Sequence, residues 1–337
     1  MNGFERIHAA MNGRYPDALP IVLHNFMPAA REAGYSQREF CTDPEKAAEA
    51  FIRITEKYDI DGIIMDLNTA TIAGALGVPV EFPETEPARC EKGLLLSLEE
   101  VDELPEIDIS KNGYIQVWLE AMQLLNKHFG QEKYIRGSVD QAPFSIASMM
   151  RSPTEWLLDL TDEDNYENAF RLLDYCTRAS CQFIDLMTAA GAHMVATGDS
   201  PAGPGMISPS MYRKFARPFE DKIASYAHES GVPYLLHICG NTDAILDQFT
   251  DRPIDAVELD YQTDIHRIHE LVLEADITFW GNVDPSGILA RGTPEDVRRE
   301  KIKLQELFAD TPRFILCSGC ALPSTTPEEN MHAFCDR

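Results

Sequence analysis

Apolar runs of five or six residues recur along the whole chain, separated by longer stretches with a helical spacing of apolar positions. The runs fall at residues 20–25, 62–67, 134–139, 193–197, 233–238, 256–260, 277–281 and 313–317. They have the length and the β-branched content of buried strands. The stretches between them predict helices, most clearly over 44–58, 167–190 and 210–229. Asp43-Pro44 and Ser208-Pro209 each read as an N-cap followed by proline at the first helical position. Strands alternating with helices make a parallel sheet, and eight such units spell a TIM (β/α)8 barrel of the α/β class. The pattern predicts one domain over residues 1–337. Residues 80–113, rich in Glu and Pro, break the alternation and predict an excursion or short hairpin between strands two and three.

In such a barrel the active site forms where the strands run out into the loops that follow them. Those ends carry polar groups here: His24 and Asn25, Asp66 and Asn68, Asp140 and Gln141, Asp199 and Ser200, His237 and Cys239, Glu258 and Asp260, Asn282 and Asp284, and Cys320. Surface loops are polar too, so the weight rests on residue types that do chemistry together.

The segment Tyr234-Leu-Leu-His237-Ile-Cys239-Gly240 is the most specific of these. Side chains at i and i+2 of a strand point the same way, so His237 and Cys239 can grip one ion. Cys317 and Cys320 offer a third ligand. Cys317 continues the apolar run Phe314-Ile-Leu and reads as core, whereas Cys320 lies beyond Ser318-Gly319 in the loop at the barrel mouth. Cys320 is therefore the expected ligand. One imidazole and two thiolates leave a tetrahedral zinc with an open position, the arrangement of a catalytic site rather than a structural one. Water or a carboxylate from Asp66, Asp199 or Glu258 can complete it. Glu258 is alternatively placed to orient a ligand from behind, and Asp199 to cap the turn that follows it. A redox role for Cys317-Ser-Gly-Cys320 fits less well, because its first member sits in a strand rather than at a helix N-terminus.

Composition narrows the context. Asp and Glu number 55 against 29 Lys and Arg, a formal net charge of −26. That argues against nucleic acids and anionic membrane surfaces as partners. No run approaches the ~20 apolar residues of a membrane-spanning helix, and the N-terminus has none of the features of a signal peptide. Eight irregularly spaced cysteines suit a reducing cytoplasm better than a disulfide framework.

The chain resembles the uroporphyrinogen decarboxylase superfamily over essentially its full length. The resemblance is carried by Tyr58-Asp-Ile-Asp-Gly62 leading to Asp66, Ala75-Leu-Gly77, Gly198-Asp199, Ile207-Ser-Pro209 and Phe215-Ala-Arg-Pro218. Gly281-Asn-Val-Asp-Pro285, Ser318-Gly-Cys-Ala-Leu-Pro323 and Thr326-Pro-Glu-Glu-Asn330 complete it. It implies a TIM barrel and offers two chemistries. The decarboxylases are similar to one another in an N-terminal Arg-Gln-Ala-Gly-Arg-Tyr segment that holds the porphyrinogen's carboxylates. This chain has Asn25-Phe-Met-Pro-Ala-Ala-Arg31-Glu-Ala-Gly34-Tyr35 there, without the opening arginine. The other branch, zinc methyltransferases working with a corrinoid protein, resembles this chain in His-x-Cys followed some eighty residues later by Gly-Cys, matched at His237, Cys239 and Cys320.

The resemblance thus implies a zinc-dependent methyltransferase moving a methyl group between a small methylated substrate, such as a methoxylated aromatic, and the cobalamin of a separate corrinoid-binding protein. The alternatives are a methylcobamide:thiol methyltransferase of the coenzyme M type, or a metal-free decarboxylase-like lyase. The chain has no Asp-x-His-x-x-Gly cobalamin motif, so the corrinoid is expected to arrive on a partner. That partner would dock over the loop spanning residues 201–209.

Overall fold

The computed structural model describes all of Met1–Arg337. Eight parallel strands follow one another in chain order around a single sheet: β1 (Val22–Leu23), β2 (Gly62–Met65), β3 (Tyr134–Gln141), β4 (Met194–Gly198), β5 (Tyr234–Ile238), β6 (Ala256–Leu259), β7 (Thr278–Val283) and β8 (Phe314–Ser318). A parallel bridge from Ile21 to Leu316 brings the last strand back to the first, so the sheet closes as a barrel. Each predicted run overlaps one of these strands.

Strand side chains alternate between the barrel interior and the surrounding helices. Val22, Ile64, Met194, Leu235, Trp280 and Ile315 pack together inside, at the end where the strands begin. Ile7, Ala10 and Met11 of the helix Gly3–Met11 join this cluster and plug that end. The opposite set of strand residues, Ile63, Val195, Leu236, Val257 and Phe279 among them, packs outward against the helices in the main core. With the bottom of the barrel filled by apolar groups, the polar strand residues are left to the upper half.

Local signals explain the helix boundaries. Asp43 caps Pro44–Tyr58 by accepting from the amides of Glu45 and Lys46, and Ser208 accepts from the amide of Met211. The helix expected over 210–229 is interrupted: a π turn at Tyr212–Ala216 separates Pro209–Met211 from Arg217–Glu229. Pro218 has no N–H to give to the carbonyl four residues earlier, and the turn widens where that bond is lost. Between β2 and β3 the chain forms a small antiparallel pair, Val80–Glu81 with Arg89–Cys90. No helix is long and apolar enough to cross a membrane.

Candidate metal centre and active-site cavity

His237 lies at the end of β5 and Cys239 just beyond it, so the two side chains emerge on the same side. His237 Nε2 is 3.0 Å from Cys239 Sγ. The Cys239 amide donates to Ser200 Oγ at 3.1 Å, and the chain then turns away through Gly240 at φ +82°, a conformation glycine adopts without strain. On the far side, Gly319 passes so close to the neighbouring loop that a Cβ there would stand 3.0 Å from the Tyr261 amide nitrogen. This close passage carries Cys320 inward. Its Sγ is 3.1 Å from Cys239 Sγ and 3.8 Å from His237 Nε2. Three ligand atoms from β5 and the β8 loop therefore converge within 4.8 Å of one another.

Glu258, fully buried on β6, anchors the layer behind them. Parallel pairing puts it directly beside His237. Its Oε2 is 2.7 Å from Arg136 Nη1 and 3.5 Å from His237 Nδ1, and its Oε1 is 3.3 Å from His24 Nδ1. His24 reaches on through Nε2 to Asp66 Oδ2 at 3.1 Å. Arg136 also lies over the Trp280 ring, 5.5 Å from its centroid. One carboxylate thus touches three cationic or potentially cationic groups, which is how a fully buried charge is tolerated.

The protonation pattern follows from these contacts. Burial alone would raise the Glu258 pKa, but Arg136, His237 and His24 outweigh it and hold the carboxyl well below its usual range. Burial would likewise lower the pKa of His24, yet Glu258 and Asp66 raise it. Cys239 is lowered to about 3 by the hydrogen bond from Cys320, reinforced by His237 against the opposing effect of burial. His237 rises to about 9, because Cys239 and Glu258 overcome its burial. Cys320 retains the proton shared with Cys239 and its pKa is raised.

This donor set fits zinc. It offers two sulfurs and an imidazole nitrogen, with Nδ1 of the same ring facing a buried carboxylate, the usual support of a metal-bound histidine. All three ligands line a cavity of about 450 Å³ at the strand C-terminal end, so the site has an open side. Phe26, Met27 and Met149 supply apolar wall, while His24, Asp66 and Asp140 supply polar wall.

Of the residues expected from sequence, His237, Cys239, Cys320, His24, Asp66 and Glu258 come together here. Four others do not. Cys317, read from the sequence as core, is fully buried in the lower barrel cluster, and its thiol pKa is pushed up by that burial. Asp199 points away from the cavity: its Oδ1 accepts from the Ser145 amide at 3.0 Å and from Ser145 Oγ at 2.6 Å. It thus ties β4 to the helix Pro143–Arg151 rather than capping its own turn. Asn25 is a buried residue at the start of the helix Phe26–Ala33. Asn282 donates to the Asp260 carbonyl at 3.3 Å and lines a separate cavity with Tyr261 and Asp284.

One site residue escapes a reading based on apolar runs, Arg136, which lies on β3 with the expected strand-end residue Asp140, both buried. A signal exists: Arg136, Ser138 and Asp140 are polar at every second position, the spacing of one strand face. The pairing of β3 with β4 breaks register between Ser138 and Gln141, and Asp140 sits in that break at φ +60°. Such irregularities recur beside active sites, where they re-aim a side chain. Burial, with Asp66 nearby, raises the Asp140 pKa to about 8.

Residues 2–337 match the family model described as uroporphyrinogen decarboxylase (URO-D). Two methylcobamide:CoM methyltransferases named MtbA, from Methanosarcina mazei and Methanosarcina acetivorans, are 32% and 30% identical to the chain over 333 residues. In both cases the match covers 97% of this chain and 94% of the relative. In fold, the chain is similar to a solved methyltransferase from Methanosarcina mazei, with a TM-score of 0.89 at 22% identity over 99% of this chain and 97% of that one. Matched from end to end by the one family and nearly a third identical to two of its methylcobamide-dependent members, the chain belongs to the corrinoid methyltransferase branch of the uroporphyrinogen decarboxylase superfamily.

Proposed function

We propose that this protein is a zinc-dependent methyltransferase that moves a methyl group between the corrinoid of a separate protein and a small thiol. The observation that carries the reading is the convergence of His237 Nε2, Cys239 Sγ and Cys320 Sγ at the cavity wall, with Glu258 set behind His237. Bound there, zinc would lower the pKa of a thiol at its open position and favour the nucleophilic thiolate. His237, Cys239 and Cys320 would hold the ion, Glu258 stands 3.5 Å behind the His237 ring where it would orient it, and Phe26, Met27 and Met149 give one side of the cavity an apolar wall. The overall exchange balances as thiol plus methylcobamide giving thioether, cob(I)amide and one proton.

The relatives named above are methylcobamide:CoM methyltransferases, which favours a thiol over the methoxylated aromatic expected from sequence. The lyase reading has less support. Arg31, the arginine nearest the decarboxylase position, is engaged with the Thr326 carbonyl at 2.9 Å and does not line the cavity. Arg136 is left as the cavity's one guanidinium, a poor match for a substrate with eight carboxylates. The corrinoid protein would dock over the barrel mouth near residues 201–209. All eight cysteines are unpaired, which suits a reducing cytoplasm.

The test is thioether formation from methylcobalamin and a panel of small thiols, with zinc-loaded parent and Cys320→Ser. Turnover by the parent, lost in the variant, is expected. Equal activity in both would overturn the proposal.

A further inference from the structure

The hydrogen-bonded ladder between β4 and β5 runs out at the metal ligands. The Asp199 amide still donates to the His237 carbonyl, at 2.8 Å. The Asp199 carbonyl, next in line to receive the Cys239 amide, is instead turned to the Ala202 amide at 2.9 Å by the tight turn Ser200–Ala202. A main-chain amide that leaves the ladder needs another acceptor. Cys239 finds one in Ser200 Oγ at 3.1 Å, a side chain standing in for the missing carbonyl. A hydroxyl carries one donor as well as its lone pairs, and the Ser200 proton is within reach of the Cys239 sulfur, which it helps to hold as a thiolate. Ser200 lines the same cavity as Cys239 and Cys320. The turn it opens packs over Cys239, so closely that a Cβ on Gly203 would stand 3.1 Å from the Ser200 carbonyl oxygen and 3.5 Å from that of Cys239.

We propose that Ser200 is a positioning residue of the metal centre: its hydroxyl, anchored by the Cys239 amide, donates to the Cys239 sulfur, fixes where that sulfur stands and lessens its electron donation to the ion. The inference rests on reading His237, Cys239 and Cys320 as zinc ligands. A hydrogen bond to an ionised sulfur is charge-assisted, and groups placed behind the ligands set both the orientation and the charge of a metal site. Glu258 does this for His237 from β6, and Ser200 does it for Cys239 from the end of β4. Because Ser200 also opens the loop 201–209, it joins that loop to a ligand atom.

Cobalt(II) in place of zinc gives a sulfur-to-metal charge-transfer band whose energy reports the electron density on the ligand sulfurs, and competition with a chromophoric chelator gives zinc affinity. Both are read on the full chain, for the parent, Ser200→Ala and Ser200→Thr. Ser200 is half-buried, so the fold should survive loss of one hydroxyl, as a thermal melt will verify. In Ser200→Ala the band is expected to move to lower energy, because the sulfur loses a donor, and zinc affinity to fall roughly tenfold. Ser200→Thr keeps a hydroxyl and is expected to return both to the parent's values, a rescue that a merely structural role would not produce. A parent that takes up neither cobalt nor zinc would remove the zinc reading itself, and the inference with it. A metal-loaded parent whose band and affinity are matched by a folded Ser200→Ala, or a folded Ser200→Thr that behaves like the alanine variant, would overturn the inference alone.

Discussion

Replacing Glu258 with glutamine removes one negative charge and almost no volume from the most connected point of the site. Two separable losses are expected. The first is stability: Arg136, 2% exposed, loses the carboxylate 2.7 Å from its Nη1 and is left as an uncompensated buried cation. Breaking a buried pair from one side costs about 3–5 kcal/mol. The second is zinc affinity, because the carboxylate facing His237 Nδ1 is gone. Loss of such a partner typically costs 10–100-fold in metal affinity, or about 1.4–2.7 kcal/mol. Urea unfolding reads the first and competition against a chromophoric chelator reads the second. The double variant Arg136→Met with Glu258→Gln separates them. It should recover much of the stability, since no bare cation remains, and none of the zinc affinity. pH adds a sign check. The Glu258 pKa is depressed below its ordinary 4.5, so its contribution is complete above that value and is lost as pH falls toward the folded-state pKa. The stability gap between parent and Glu258→Gln should therefore shrink in acid. A single variant with the parent's unfolding midpoint and zinc affinity would refute the role given to Glu258.

Three further outcomes follow from the same geometry. Cys317→Ala should retain zinc and lose only about 1 kcal/mol, as for a small buried side chain, whereas Cys320→Ala should lose the metal; zinc retained by the latter would reverse the assignment. Gly319→Ala, whose Cβ would stand 3.0 Å from the Tyr261 amide, should displace the Cys320 loop and weaken zinc by roughly tenfold, read by the same chelator competition. Asp140→Asn should become stabilising as pH rises. The folded carboxyl keeps its proton up to about 8 while the unfolded one releases it near 3.8, so the parent loses stability across that interval and the variant does not. The gain should approach a few kcal/mol at pH 8 and vanish near pH 4, as urea melts at the two pH values will show.

The strands were legible because a barrel strand packs apolar side chains on its outer face whatever the inner face carries. His237 and Cys239 were legible for a related reason, since i and i+2 on a strand must emerge together. Cys320 was separated from Cys317 by the loss of the apolar pattern after Cys317, and the structure places that thiol in the lower barrel cluster. What the chain does not display is partnership across the barrel. Asp199 looked like a turn cap because its own neighbours are loop residues, but its partner Ser145 lies 54 positions away. Arg136 was hidden inside an apolar run, although its spacing with Ser138 and Asp140 marks the interior face. The π turn before Arg217 required weighing Pro218 against an otherwise helical pattern. In each case the deciding contact is long-range or depends on one missing hydrogen.

The most direct test of the metal centre is zinc per chain, measured by elemental analysis on protein purified without chelator, for the parent and for the His237→Ala, Cys239→Ala and Cys320→Ala variants. A site built as described gives one zinc in the parent and little or none in all three variants, each still folded by circular dichroism. A parent without zinc, or variants that bind it as the parent does, would contradict the proposed centre and the chemistry derived from it.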